Sequence, residues 1–586
     1  MKIVHDSRQA AYRSPLGAQP CKTVIRLFLE TDAPDAVVRF WIDESAYLYP
    51  MKRVDGGFEY EFALPEKPGV VWYYFIVGDT YYGNAPDNLG GLGAMATYEP
   101  PSFQITVYDP AFKTPDWLGD GIMMQIMPDR FRRGGNNPHH GRMHENWYED
   151  PWLDITENGD NSADDFFGGD LKGITEKLPY IKSLGVSVLY LNPIFMSRSN
   201  HKYDTSDYMR VDQAFGTEAD LTELCEKAGK MGIRIILDGV FSHTGDDSIY
   251  FNKYSTYGSG GAYNTKKSPY YSWYSFRHWP YDYSCWWGFD TLPNVDKRSG
   301  SFRDFIINSD DSVCAHWLRA GASGWRLDVA DELPMDFIAA FRARIKKENP
   351  DSALIGEVWE DPSRKIAYGK LRSYCLGDTL DSVMNYPLRE AILEFLCGNI
   401  TAHRCARVIS SLYENMPRPF YRSLMNLLGS HDKPRALTVL ADAGNMEPDR
   451  RYRYPIKLTD AQYALGRRRL IAAWQMVCAL PGMPTIYYGD EAGLYGMADP
   501  FCRAAYPWGR EDKYLVDAYS RISSERLGDK VLIDGDVELT APGDDLLIIR
   551  RSLAKKSRTL AVNRSQNHID YCGTTVPAQC AVWLNE

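Results

Sequence analysis

Apolar residues recur along this chain in three successive patterns. Up to about residue 108 they form short runs or alternate with polar positions, as in Val24-Ile25-Arg26-Leu27-Phe28-Leu29, Ala36-Val37-Val38-Arg39-Phe40-Trp41, Phe58-Glu59-Tyr60-Glu61-Phe62 and the run from Val70 to Val77. Turn sequences such as Asp55-Gly56-Gly57 and Glu66-Lys67-Pro68-Gly69 separate them. Short strands at this spacing predict a β-sandwich over 1–108. A proline-containing linker follows, from Tyr108 to Trp117. From about residue 119, strand-like runs alternate with amphipathic stretches. The runs are Ile122–Ile126, Val186–Leu191, Ile233–Asp238, Gly324–Asp328, Ala353–Glu357, Asp381–Tyr386, Leu424–Leu428 and Pro484–Tyr488. The stretches Leu171–Leu184, Glu218–Met231 and Ser301–Leu318 carry the helical period between them. Strand and helix in eightfold succession predict an α/β fold, a (β/α)8 TIM barrel over 119–528, closed by a helix over Tyr514–Leu527. The segment from Asp238 to Ser301 is too long for a structureless loop and predicts an inserted subdomain at about 243–300. The third pattern, from 529 to 586, is again short strands and predicts a small C-terminal β domain.

Composition narrows the partners. A net charge of −11 argues against nucleic acid and against an anionic membrane surface. No run of about 20 apolar residues offers a membrane span. The 11 cysteines form no CxxC pair, and an N-terminus without an apolar run offers no signal peptide, so a reducing, cytoplasmic location is expected. Aromatics make up 13% of the chain, with 39 Tyr and 15 Trp, which suits stacking on sugar rings as well as core packing.

The stretch Gly324-Trp325-Arg326-Leu327-Asp328 concentrates the chemistry. A strand with period 2 sets Arg326 and Asp328 on one face. Burying them requires pairing, and a paired aspartate stays ionised, as a carboxylate nucleophile must. A structural ion pair is the alternative. The other strand ends tip the balance. The third ends at Asp238 and runs on to His243, the fifth ends at Glu357, the seventh runs into Ser430-His431-Asp432, and the second is followed by His201-Lys202-Tyr203-Asp204. Catalytic groups of such barrels sit at the C-terminal strand ends. Carboxylates from adjacent strands at roughly 5–5.5 Å suit retaining glycoside hydrolysis. That assigns Asp328 as nucleophile, Glu357 as proton donor in an apolar setting that would raise its pKa, and Asp432, His243 and His431 as binders of sugar hydroxyls.

The stretches Asp238–His243, Gly324–Glu332, Gly356-Glu357-Val358-Trp359 and Ser430–Asp432 resemble the sequence regions of the α-amylase superfamily, glycoside hydrolase family 13, and in particular its neopullulanase, cyclomaltodextrinase and maltogenic-amylase group. Phe166–Leu171, Asn200–Thr205, Met127–Phe131 and Asp499–Arg503 add to the likeness. The resemblance implies Asp328 as nucleophile, Glu357 as general acid/base and Asp432 as transition-state stabiliser. It also implies Asp238, Arg326, His243, His431 and Arg503 in substrate binding, with Tyr203 as a platform under the sugar. It implies an intracellular homodimer acting on maltooligosaccharides, cyclodextrins or pullulan, with no cofactor required. The alternatives are an exo-acting α-glucosidase or transglycosylase, and a barrel retained only for binding. Three departures stand out. Asn294 occupies a position usually held by Lys, Ser242 one usually held by Asn, and Arg132–Pro138 lacks the acidic residue of a calcium loop. Calcium candidates are therefore Asn136, Asn137, Gly169 and Asp170. His139, His140 and His144 are either a metal set or solvated loop residues. Trp286 and Trp287 either stack on sugars beyond the cleaved bond or fill the inserted segment's core. Glu332 either touches the leaving sugar or caps a helix start.

Overall fold

The computed structural model describes residues 2–155, 161–443 and 454–584. Its centre is an eight-stranded parallel sheet. The strands are β1 (Met123–Ile126), β2 (Val188–Leu191), β3 (Arg234–Gly239), β4 (Gly324–Leu327), β5 (Ala353–Gly356), β6 (Ser382–Val383), β7 (Met425–Leu427) and β8 (Met483–Tyr487). The hydrogen-bonded order runs β6-β5-β4-β3-β2-β1-β8-β7, and a parallel bridge from Met384 to Met425 joins β6 to β7 and closes the ring.

Strand alternation sorts the side chains. Met124, Leu189, Ile235, Trp325, Leu327 and Leu354 face outward into the large core shared with the helices. Met123, Val188, Tyr190, Ile236, Ile355, Met425 and Met483 pack inside the barrel. The inward positions thus begin apolar and turn polar towards the C-terminal ends, where Asp238, Arg326 and Glu357 follow in the same alternation.

The helices over Leu171–Ser183, Glu218–Lys230 and Lys513–Leu527 fall where the period places them. The first is capped by Asp170 and the second by a Thr217–Asp220 capping box. The expected helix over Ser301–Leu318 is instead broken. A turn at Gly300–Arg303 passes into a π-helical turn over Asp304–Asn308, and a helix resumes at Val313–Arg319 after the polar run Ser309–Ser312. Between β5 and β6 a hairpin, Ile366–Ala367 with Lys370–Leu371, stands where the repeat would put a helix.

The N-terminal strands form two sheets over a common core that includes Ile25, Leu27, Leu29, Val38, Phe40, Tyr73 and Phe75. This β-rich region is tied to the barrel side by ion pairs from half-buried Arg8 and buried Arg13 to Glu414. Gln104 donates to the Ser363 hydroxyl just beyond β5. At the C-terminal end, strands Asp536–Thr540, Leu546–Leu553, Lys556–Asn563 and Cys580–Trp583 make a four-stranded sheet.

Candidate active site

Arg326 is fully buried at the barrel's polar end. Its Nη1 donates to Asp238 Oδ1 at 2.9 Å and to Asp328 Oδ1 at 3.0 Å. Its Nη2 lies 2.7 Å from Glu357 Oε2. One guanidinium therefore gathers carboxylates from the ends of β3, β4 and β5. A lone buried charge of this kind would cost several kcal/mol, and the fork geometry of arginine is what allows several acids to share it.

Local backbone completes the arrangement. Val329, immediately after Asp328, has φ 39°. Left-handed geometry at a β-branched residue is strained, and here it turns the Val329 N–H onto Glu357 Oε2 at 2.8 Å. Trp359 Nε1 donates to the other oxygen, Oε1, at 3.0 Å. The Trp359 ring in turn stacks on Tyr386, with centroids 4.3 Å apart. Both oxygens of Glu357 are thus held by donors from the turns that follow β4 and β5.

Behind the acids, Tyr190 and Tyr203 donate to Asp238 Oδ2 at 2.6 and 2.9 Å. Asn192 donates to the Tyr203 hydroxyl, and Gln125 bridges Asn192 and His431 Nδ1. The Tyr203 ring lies parallel to the His431 ring at 5.2 Å. His431 Nε2 reaches Asp432 Oδ1 at 3.2 Å. Arg503 donates to the His431 carbonyl at 2.9 Å and pairs with Asp499, with Asp432 at 3.6 Å. His243 is held by Ser242 Oγ and the Tyr203 carbonyl and meets the Trp286 ring.

The electrostatics follow from crowding. Burial pushes Asp328 well above the usual carboxylate range; Arg326 opposes this, while Glu357, Asp238 and Asp432 reinforce it. Burial, then Glu357, raises Asp432 to about 7, against the pull of Arg503 and Arg326. Asp238 is raised by burial, with Arg326 opposing. Burial lowers His243 to about 4 and drives His431 well below its ordinary value, so both rings are neutral near pH 7. Asp238, Asp328 and Asp432 thus all hold a proton more readily than free carboxyls, and they titrate as a set.

The structure brings together Asp328, Glu357, Asp432, Tyr203, Asp238, His243, Arg326, His431 and Arg503. Asp238 and Arg326 are completely enclosed behind the acids, so they position rather than present themselves. Trp286 is half-buried against His243 and Phe289. Trp287 is 75% exposed at the rim, and its indole N–H donates to Glu332 at 3.3 Å. Other contributors were not singled out from sequence. Gln125 and Tyr190 occupy inward strand positions and were detectable by alternation, whereas Asn192 and Tyr386 lie beyond strand ends in stretches whose course sequence periodicity does not give.

The calcium candidates do not fit a cation. Asp170 Oδ1 accepts from the Gly134 and Gly173 N–H groups, and Oδ2 from the Gly135 N–H and the Asn137 amide. Four N–H dipoles already occupy this carboxylate and point at the space a cation would need. The loop histidines diverge. His144 is sandwiched between Trp152 and Phe167 and pairs with Asp165 and Glu149, while His140 approaches Asp212. No cluster of three or more His, Cys, Asp or Glu suited to a metal occurs among the described residues.

Residues 125–531 match the family model described as alpha amylase, catalytic domain. The chain belongs to the alpha-amylase family. Among family relatives, an amylopullulanase of Thermoanaerobacterium saccharolyticum is 38% identical over 96% of this chain, which spans only 48% of that relative's length. A cyclomaltodextrinase of Thermoanaerobacter pseudethanolicus is 32% identical over 78% of this chain and 72% of its own. The solved type III pullulan hydrolase of Thermococcus kodakarensis superposes with a TM-score of 0.71 at 27% identity, each chain being covered 100%. That last match extends the likeness to both β-rich ends. No helix among the described residues is long and apolar enough to cross a membrane.

Proposed function

We propose that this chain is a retaining glycoside hydrolase cleaving α-1,4 and α-1,6 glucosidic bonds in maltooligosaccharides, cyclodextrins or pullulan. The observation that carries the reading is the single Arg326 guanidinium holding Asp238, Asp328 and Glu357 together, with Asp432 across the mouth. Two carboxylates on the terminal nitrogens of one guanidinium suit the short separation of a retaining pair, about 5 Å, better than the wider gap that an inverting enzyme keeps for water. The names of the relatives, amylopullulanase and cyclomaltodextrinase, support the α-glucan substrate class.

In this mechanism Asp328 attacks the anomeric carbon while Glu357, in its protonated form, gives its proton to the departing glycosidic oxygen. A covalent glycosyl–Asp328 ester results. Water then attacks the same carbon, Glu357 takes its proton back, and the Asp328 carboxylate is released. Asp432 and the neutral rings of His243 and His431 bind hydroxyls of the sugar as its ring flattens. Trp359 and Val329 hold Glu357 in place through both steps.

The deciding experiment is product analysis from maltotriose, β-cyclodextrin and pullulan, with the anomeric form of the first product read by NMR. Opening of the cyclodextrin ring with retained configuration is expected. Inverted product would overturn the mechanism, and a failure to open the ring would favour an exo-acting α-glucosidase. We also propose a cytoplasmic homodimer in which residues 1–108 contribute to the interface. The 11 cysteines, all unpaired and mostly buried, support a reducing compartment. Sedimentation as a monomer at working concentration would overturn the dimer.

A further inference from the structure

Two hairpins on opposite sides of the β4 strand end share an unusual turn. In the first, strands Cys285–Trp286 and Phe289–Pro293 are joined by Trp287-Gly288, with Trp286 paired to Phe289. In the second, Ile366–Ala367 and Lys370–Leu371 are joined by Tyr368-Gly369, with Ala367 paired to Lys370. The φ values are 49° and 88° in one turn, 51° and 72° in the other. Positive φ at both central residues is the type I′ turn, whose first position favours Asn, Asp or Gly. A bulky aromatic there is strained. Packing returns little of that cost, since Trp287 is 75% and Tyr368 71% exposed, with Trp286 and Arg372 beside the rings.

The two aromatic tips nonetheless meet. The Tyr368 hydroxyl donates to Glu332 Oε1 at 2.6 Å, and Trp287 Nε1 donates to the same oxygen at 3.3 Å. Glu332 lies on the 3-10 turn Ala330–Glu332 that directly follows Asp328 and Val329. The second hairpin is fastened at its base as well. Lys365 pairs with Asp331, Tyr374 donates to Asp331, and Arg372 donates to the Asp331 and Leu333 carbonyls.

We propose that Trp287, Glu332 and Tyr368 form a clasp over the β4 end that selects substrates by thickness, favouring a single linear glucan chain over rings and branch points, which enter once it opens. While both bonds to Glu332 Oε1 are made, the rim between the β3 and β5 loops is bridged. The inference rests on the α-glucan reading for the identity of the chain that is selected. The strained turns support it independently, because fold stability alone would favour Asn at both positions.

The test is Tyr368→Asn, which places the favoured Asn-Gly pair in the turn while removing the phenol. To separate selection from chemistry, binding of maltotriose and β-cyclodextrin is measured by calorimetry in an Asp328→Asn background, with and without Tyr368→Asn. The clasp requires the β-cyclodextrin to maltotriose affinity ratio to rise about fivefold, the scale of one lost hydrogen bond, with no fall in thermal midpoint. Tyr368→Phe, which keeps the ring, should raise the ratio in the same direction. An unchanged ratio, a selective loss of cyclodextrin affinity, or a lowered midpoint without a change in ratio would overturn the clasp. Binding of neither glucan would overturn it too. Binding of both with no hydrolysis by the parent chain would instead overturn the proposed reaction and leave the clasp supported or refuted by the ratio.

Discussion

Replacing Arg326 with methionine probes the centre of the site. The change removes a fully buried cation that bonds Asp238, Asp328 and Glu357. Removing one partner of a buried charge set costs about 3–5 kcal/mol, because the remaining charge is left uncompensated. That corresponds to a fall of roughly 4–6 °C in the thermal midpoint of the barrel. The carboxyls of Asp238 and Asp328 are already raised with Arg326 present, by burial above all, and losing its opposing pull raises them further. The native state then binds more protons than the unfolded chain between the ordinary carboxylate value of 3.8 and the raised native values. Stability therefore falls as pH rises through that window. The variant should lie closest to the parent near pH 4 and farthest from it near pH 8. The assay is the denaturation midpoint of both proteins at pH 4, 6 and 8, with hydrolysis of maltotriose followed in parallel. Activity should drop by more than about 100-fold, since the Asp328 carboxyl, already raised by burial, loses the cation that opposes its protonation. A deficit that is constant with pH, or that shrinks as pH rises, would refute the idea that Arg326 is there to hold the acids.

Three further outcomes follow from the geometry. Glu357→Ala should hydrolyse maltotriose at least about 100-fold more slowly, yet retain turnover of an activated glucosyl fluoride, with added azide appearing in a product of retained configuration; absence of azide rescue would remove Glu357 from the acid/base role. His243, lowered to about 4 by burial, should show flat imidazole NMR shifts from pH 5 to 8 and should cost stability as pH falls from its ordinary 6.5 towards 4, since the unfolded chain takes the proton first; a titration near 6.5 would contradict the buried, neutral ring. Millimolar calcium or its chelation should leave the thermal midpoint unchanged, because the Asp170 oxygens already accept four N–H groups; a calcium-dependent rise would show that the loop rearranges to bind it.

Period-2 alternation alone determined that Arg326 and Asp328 share a face, and the bond between them is as local as that pattern. The same rule turns Asp238 and Glu357 inward at the ends of β3 and β5, the strands on either side of β4, because side-chain direction in a strand depends on nothing beyond the strand. The carboxylates, the barrel and most helix positions were legible for this reason. The break in the helix after residue 303 and the hairpin after β5 were not, since both replace a repeat whose local pattern is weak there. Only closure of the barrel decided that Arg326 would extend its other nitrogen to Glu357 and take Asp238 from β3. Only tertiary packing brought Glu414 to Arg8, 406 residues away, and set Tyr368 and Trp287 on one oxygen of Glu332, from 36 and 45 residues off. Contacts at such separation depend on how loops of particular lengths cross above the strand ends. Loop courses are set by turn geometry and by the surfaces they meet, neither of which is written in the spacing of apolar residues.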